Sequence, residues 1–521
     1  MVDRRGSVRV NATVRVLVPI LWMLGFVLLA IAPWSESAAA ANCSDSLQAK
    51  IDAASAGATV TASPCIYRQQ ITITKPIILK GQPGSEIRGS DVWTGWTYSG
   101  GRWTSSKTLP SFPQTTVYCM PNTSRCQWPE QVFINGVAQT QVAPGSTLNA
   151  GQFYVNSSRR VVMTTDPRGK TVEVTVRRHW VTGTTSADNV TIEGFTMKHA
   201  ANEGRSGALM NRRSRLENGG ENWTVRNNRL SDAHGGMISL KNAPRGTIQG
   251  NDIARGGQIG IFGSADGQSI RDNQIHHNNT ERFAYNSDFG IGETGGAKLV
   301  PDIDNTVFTG NHVYANYGHG IHYDIDCDNN KVSYNRVHHN ARRGIQYELC
   351  FSGEIFGNVV YENGWTTPEG REGSGLEILN SSNTEVYGNT LAWNADGIDV
   401  RAIERDGTLY DNPRNVYVHD NTILGKNDSS ATKNHVALAW VQSLSSTAMF
   451  DPLSNNRGVN NGYWYTRSED SLTRFEWKKI AYTKLGLFNA TLGEEGGRYL
   501  TQSEKDAVVA NKGIPANPEP H

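Results

Sequence analysis

The sequence predicts an all-β protein: a right-handed, single-stranded parallel β-helix with an N-terminal capping helix and an antiparallel β excursion. Three observations predict it. Asn311-His312-Val313 returns as Asn335-Arg336-Val337 and as Asn358-Val359-Val360. Gly320-Ile321-His322-Tyr323-Asp324 returns as Gly344-Ile345-Gln346-Tyr347-Glu348. Within these segments apolar positions alternate without a helical stripe, so the period of 23 to 24 residues reads as one coil of a strand solenoid.

Length and charge agree with this reading. A chain of 521 residues with 37% hydrophobic content and 53 glycines exceeds one ordinary core, but a solenoid grows coil by coil. With 50 basic and 49 acidic residues the net charge is +1, which excludes the basic footprint of a nucleic-acid binder or of a protein held on an anionic membrane.

Residues 1–41 read as a secretory signal: Arg4, Arg5, Arg9 and Arg15, then an apolar run from Leu17 to Ala32, then Ala39-Ala40-Ala41. Cleavage near Ala41 gives a secreted protein with no stable membrane insertion; the alternative is an uncleaved anchor. The six cysteines lie beyond it, and in an oxidising compartment they read as three staples, Cys43 with Cys65, Cys119 with Cys126 and Cys327 with Cys350.

Residues 42–91 form the N-terminal cap and first coils. Ser44 to Ala56 spaces Leu47 and Ile51 one helical turn apart behind a candidate cap at Ser44, and such a helix hides the first strand edge. From 92 to 180 the rhythm breaks into Trp-rich, Gly-rich hairpin signals such as Asn135-Gly136, which predict antiparallel strands leaving the rod. The main coils span 181–425, anchored by Asn228, Asn251, Asn273, Asn311, Asn335, Asn358, Asn389 and Asn421. Stacked asparagines satisfy turn backbone groups and need no catalytic role. Spacings longer than one coil mark inserted loops, Thr280 to Val307 with Glu293 and Lys298, and Trp365 to Gly373 with Glu369 and Glu372. Residues 426–521 form an aromatic C-terminal cap and tail, with Pro515 to His521 reading as disordered.

The Asn-x-Val coils, the Gly-Ile-x-Tyr-acid segments, and the excursion bearing Gln131-Val-Phe-Ile-Asn-Gly136 and Gly151-Gln-Phe-Tyr-Val155 resemble the secreted, pectate-lyase-like right-handed β-helix proteins. The likeness spans roughly residues 43 to 510, and many members of that group act on polysaccharides. The excursion and aromatic tail are nearer to β-helix glycosidases than to short pectate lyases. The Asp-Pro-His-Glu signature of mannuronan epimerases is absent. The resemblance implies the fold and a polysaccharide or oligosaccharide partner, whereas the chemistry must come from the site.

If the aliphatic residues point inward, one outward column holds Lys241, Phe262, Asp324, Glu348, Leu379 and Arg401. A parallel one holds Ser239, Gly260, His322, Gln346, Glu377 and Asp399. Any one of these residues alone is an ordinary solvated side chain. Asp324, Asp326, Glu348, Glu377 and Asp399 within four coils are not, because stacked like charges repel. Stacked carboxylates lie about 5 Å apart, so Asp324 with Glu348 suits a retaining glycoside hydrolase, and Glu348 with Glu377, about 8 Å apart, suits an inverting one.

The expected catalytic residues are therefore Asp324, Glu348 and Glu377. His322, Asp399, Arg401, Lys241, Arg343 and Trp365 are the expected substrate-binding residues. Hydrolysis requires no cofactor. A calcium-dependent polysaccharide lyase is the alternative, with the acids as Ca2+ ligands and Lys241, Arg343, Arg401, His319 or His322 supplying the base. A non-catalytic binder or surface rod, using Trp365 and Trp393 as sugar platforms, is a second alternative. A monomer is expected. The pairs His276-His277 and His338-His339 read as surface residues whose neighbours point apart, and Gly256-Gly257 and Gly295-Gly296 as turns.

Overall fold

Each coil contributes three short strands, and each strand lies parallel to its counterpart one coil away. The computed structural model describes residues 41–113, 118–214, 216–284, 293–366, 371–404, 412–426, 435–442, 447–465 and 473–519. Among these residues the strands build one long sheet of 12 strands and two of 13, the right-handed parallel β-helix that the repeat predicts. Except for Ala41, the predicted signal lies outside the described residues, as does Glu369.

The inward columns are continuous. Ile321, Ile345, Leu376, Ile398 and Leu438 lie opposite one another on successive strands and are fully buried, as are Tyr323, Tyr347, Ile378, Val400 and Trp440 two residues further on. Burial of each such side chain is worth about 1.5–3 kcal/mol, repeated coil after coil.

Helix Leu47–Ala53 closes the N-terminal end, burying Leu47 and Ile51. Its cap is Ser46, whose hydroxyl accepts from the Ala49 N–H at 3.2 Å, not the expected Ser44, because the helix starts at Leu47. Between Ser90 and Thr175 the chain forms a four-stranded and a five-stranded sheet, antiparallel except for one parallel pair. Val181–Thr182 then stacks in parallel on Ile71–Thr72, so the rod resumes where it was interrupted. All three expected disulfides are formed.

The predicted asparagines make a continuous ladder. From Asn228 to Asn421 each side-chain amide donates to the next asparagine at 2.9–3.1 Å, and Asn421 passes the ladder to Asn461. A second ladder, Asn278, Asn316, Asn340, Asn363 and Asn394, runs along the turn that leads into the site sheet.

Two expectations need correction. Gly295 and Gly296 are not a turn: they open strand Gly295–Leu299, because a Cβ on Gly296 would meet the Gly320 carbonyl of the next coil at 2.3 Å. The tail is not free up to Glu519 either. Trp393 Nε1 donates to the Pro515 carbonyl at 2.9 Å, and Lys426 Nζ to the Glu519 carbonyl at 2.9 Å.

Candidate functional site

The site lies on the outer face of the sheet containing Gly295–Leu299, His319–Cys327, Ile345–Cys350, Ser374–Leu379 and Asp396–Ala402. Strand register sets its two columns. Ser239, Phe262, Lys298, His322, Gln346, Glu377 and Asp399 form one. Asp324, Glu348, Leu379 and Arg401 belong to the other. Phe262 therefore sits with His322 rather than with Asp324, and Gly260 packs beside Gly296. The reason is that Ser239, not Lys241, pairs with Phe262, two residues from the expected register; Gly295–Leu299 is a further strand of the sheet and not part of a loop wall. Lys241 pairs with Ser264 and lies three strands from Asp324, and so stands apart from the acids.

Asp324 and Glu348 face each other across adjacent strands, and an oxygen of each lies within 4.8 Å of the other and of a His322 nitrogen. Each is 9% exposed, enough for contact from outside. Lys298 Nζ donates to Asp324 Oδ2 at 2.7 Å. Glu348 Oε2 lies 3.0 Å from His322 Nε2 and accepts from Gln346 Nε2 at 2.8 Å.

Beyond Asp324 the strand breaks register before Cys327, with Ile325 and Asp326 both left-handed at φ 63° and 51°. A β-branched residue in that region is strained, and bulges beside sites re-aim side chains. The bulge turns Asp326 outward, so it does not join the acid cluster.

Glu377 is fully buried between Arg401, at 2.8 Å, and Arg343, at 2.6 Å. Asp399, equally buried, accepts from the Ser374 hydroxyl and lies 3.4 Å from Arg371. Burial pushes the Asp399 carboxyl up, and pushes that of neighbouring Asp396 up further. Burial alone would lower Arg371, but Asp399, Asp396 and Glu476 together raise it. Burial lowers Arg343, and with the adjacent Arg343 charge it brings Arg342 down to about 9. This half of the sheet is a network of matched charges rather than a pair of available carboxylates.

Trp365 lies off this face. Its Nε1 donates to the Trp393 carbonyl at 2.9 Å, and the residue lines a separate cavity of about 530 Å³. Trp393 is 1% exposed and cannot serve as a sugar platform. The histidine pairs converge instead of pointing apart: His276 and His277 bring their Nδ1 atoms to 2.8 Å, and His338 and His339 to 2.7 Å. The left-handed backbone at His277 and His339 folds each second ring back onto the first.

Sequence reasoning misses Arg342, Arg371 and Glu476, and it places Lys298 on an inserted loop rather than on a strand beside Asp324. Lys298 had a usable signal, since Gly296-Ala297-Lys298-Leu299 matches the Gly-apolar-polar-apolar order of Gly320 to Tyr323. Arg371 and Glu476 meet from positions 105 residues apart, which no local pattern reveals.

Comparison with known proteins agrees on the fold. A sequence profile described as right-handed beta helix region matches residues 206–391, which contain Asp324, Glu348 and Glu377. No curated protein matches the chain. Among solved structures, XylC in complex with xylose is similar at 16% identity over 83% of this chain and 83% of that one, with a TM-score of 0.61. The A-module of Azotobacter vinelandii mannuronan C-5 epimerase AlgE4 is 11% identical over 87% and 95%, with a TM-score of 0.45. At 16% identity the likeness to XylC shows the fold and nothing about the reaction.

Proposed function

We propose that this protein is a secreted glycoside hydrolase that cleaves an oligo- or polysaccharide with retention of configuration. The observation that carries the reading is the Asp324–Glu348 pair: two reachable carboxylates within 4.8 Å, each held by different partners. That spacing suits the roughly 5 Å of retaining enzymes rather than the 6.5–9.5 Å of inverting ones. The likeness to a fold that holds xylose in XylC supports a sugar ligand. The signal-like N-terminus and the three disulfides support export. Action as a monomer belongs to the same proposal.

The partners assign the roles. Asp324, which accepts from Lys298 at Oδ2, is the proposed nucleophile. Glu348, held at Oε2 by His322 and Gln346, is the proposed acid and base. In the first step an Asp324 oxygen attacks the anomeric carbon, the glycosidic C–O bond breaks, and Glu348 protonates the departing oxygen. In the second, Glu348 takes a proton from water, whose oxygen displaces Asp324 from that carbon. Clamped Glu377 and Asp399, with Arg343 and Arg401, shape the adjoining surface and position substrate.

The proposed reaction uses the acid pair without calcium. Ca2+ takes six to eight oxygens, whereas here two carboxylates stand with an imidazole and an ammonium already occupies Asp324.

The test is a polysaccharide panel followed for new reducing ends and for unsaturated-uronate absorbance, with and without chelator. The expected result is reducing ends without absorbance, insensitive to chelator and reduced about 10²–10⁴-fold in Glu348→Gln. Absorbance, or full activity in Glu348→Gln, would overturn the proposal.

A further inference from the structure

We infer that the cavity lined by Arg282, Tyr317 and Trp365 is a second carbohydrate-binding site, selective for a sugar that carries an anionic group. The ligand's being a sugar rests on the reading above; its charge does not. The cavity measures about 530 Å³ and is bounded by the turns that lead from the asparagine-anchored strands into the site sheet. That is within the roughly 300–1,000 Å³ of small-ligand sites.

Arg282 is the cation that stands out in it. The Arg282 guanidinium lies 3.6 Å from the centroid of the Tyr317 ring. Glu281, whose charge reaches Arg282, is engaged by Arg125 at 3.2 Å. The other cations of the cavity are spoken for. Arg255 binds both carboxylate oxygens of Asp232 at 2.8 Å, and His339 Nε2 lies 3.2 Å from Glu519. Glu362 is the carboxylate in the lining and accepts from the Glu519 N–H at 2.8 Å. Among the described residues no carboxylate pairs with Arg282. Burial pushes this arginine down, and the like charge of Arg125 adds to the effect.

A half-buried guanidinium held over an aromatic ring presents planar N–H donors, the fork that matches a carboxylate or a sulfate ester. An anion there would relieve both the desolvation of Arg282 and its repulsion by Arg125. The half-buried Trp365 edge and the Tyr317 ring supply the apolar wall that sugar rings pack against.

The test is calorimetric titration of the full mature chain with a uronate-bearing disaccharide, a sulfated disaccharide and the carboxyl-reduced neutral disaccharide. Arg282→Gln and Arg282→Lys are titrated alongside, with folding checked by thermal midpoint. We expect an anionic sugar to bind at least about tenfold more tightly than the neutral one. The preference should vanish in Arg282→Gln and shrink in Arg282→Lys, which keeps charge but loses the fork. Carboxylate over sulfate would identify a uronate, and the reverse a sulfate ester. Equal binding of charged and neutral sugars, no binding of either anionic sugar at about 10 mM, or a preference that survives Arg282→Gln would overturn the inference. Selective binding by a protein that cleaves nothing would support this site and sink the hydrolase reading, and cleavage without selectivity would do the reverse.

Discussion

The ammonium of Lys298 lies 3.5 Å from His322 Nδ1 while it donates to Asp324 Oδ2 at 2.7 Å. A cation at Nδ1 makes that nitrogen an acceptor and places the ring proton on Nε2, which then donates to Glu348 at 3.0 Å. One side chain thus holds the proposed nucleophile and fixes the tautomer that orients the proposed acid. Lys298→Met is expected to lower kcat on the order of 10²-fold with little change in KM, with Lys298→Arg recovering part of the loss. Steady-state rates on an aryl glycoside check this, and unchanged kcat in Lys298→Met would contradict it.

Cys327 and Cys350 follow Asp324 and Glu348 by three and two residues and join the strands beyond the bulge. The disulfide closes a loop with a sequence separation of 23, worth roughly 3 kcal/mol by chain entropy. A Cys327→Ser/Cys350→Ser protein is expected to unfold at lower denaturant and to lose more kcat than the equivalent Cys43/Cys65 variant, whose bridge lies at the N-terminal cap. Equal losses of kcat would show that the bridge does not position the acids.

The asparagine ladder makes each coil depend on the next. Asn335 Oδ1 accepts from both the backbone N–H and the side-chain amide of Asn311, while its Nδ2 donates to the Phe308 carbonyl and to Asn358. Asn335→Leu takes the acceptor from the buried Asn311 N–H and removes one bond each from the Asn311 amide and the Phe308 carbonyl, at a cost of roughly 2–4 kcal/mol. Amide exchange should speed up in the coils on either side and remain unchanged near the N-terminal cap. Uniform acceleration along the rod would contradict this local dependence.

Glu494 ends that ladder, accepting from Asn461 Nδ2 at 2.8 Å and from the Tyr463 hydroxyl at 2.6 Å. Burial pushes its carboxyl up to about 7, although these bonds pull the other way. The folded protein therefore holds this proton more tightly than the unfolded chain. The resulting stability is complete below the ordinary glutamate value of 4.5 and is lost as pH rises through about 7. The difference is roughly 3 kcal/mol. The thermal midpoint should fall between about pH 5 and 8, and Glu494→Gln should remove that slope. The same slope in both proteins would assign it to other groups.

The sequence was most informative where one residue type recurs at one place in every coil. Asn335 and Ile345 recur because turn backbone and core leave little choice, so the rod, the disulfides and the Asp324–Glu348 adjacency could all be read directly. Legibility failed at Gly295–Leu299, where small residues opening a strand resemble a turn and hid Lys298. It failed again at Glu377, whose type and column suit catalysis, because its burial between Arg343 and Arg401 depends on side chains from three segments. The bulge after Asp324 has no signature either, since Ile325 is a residue that ordinarily avoids the left-handed region.

The most direct test of the central claim is to trap the first step with the 2-deoxy-2-fluoro glycosyl fluoride of the sugar that the panel identifies, and then to map the labelled peptide by mass spectrometry. The account predicts one covalent glycosyl adduct, on Asp324, forming in the wild type and absent in Asp324→Asn. An adduct on Glu348 or Glu377, or no adduct together with an inverted product anomer by NMR, would contradict it.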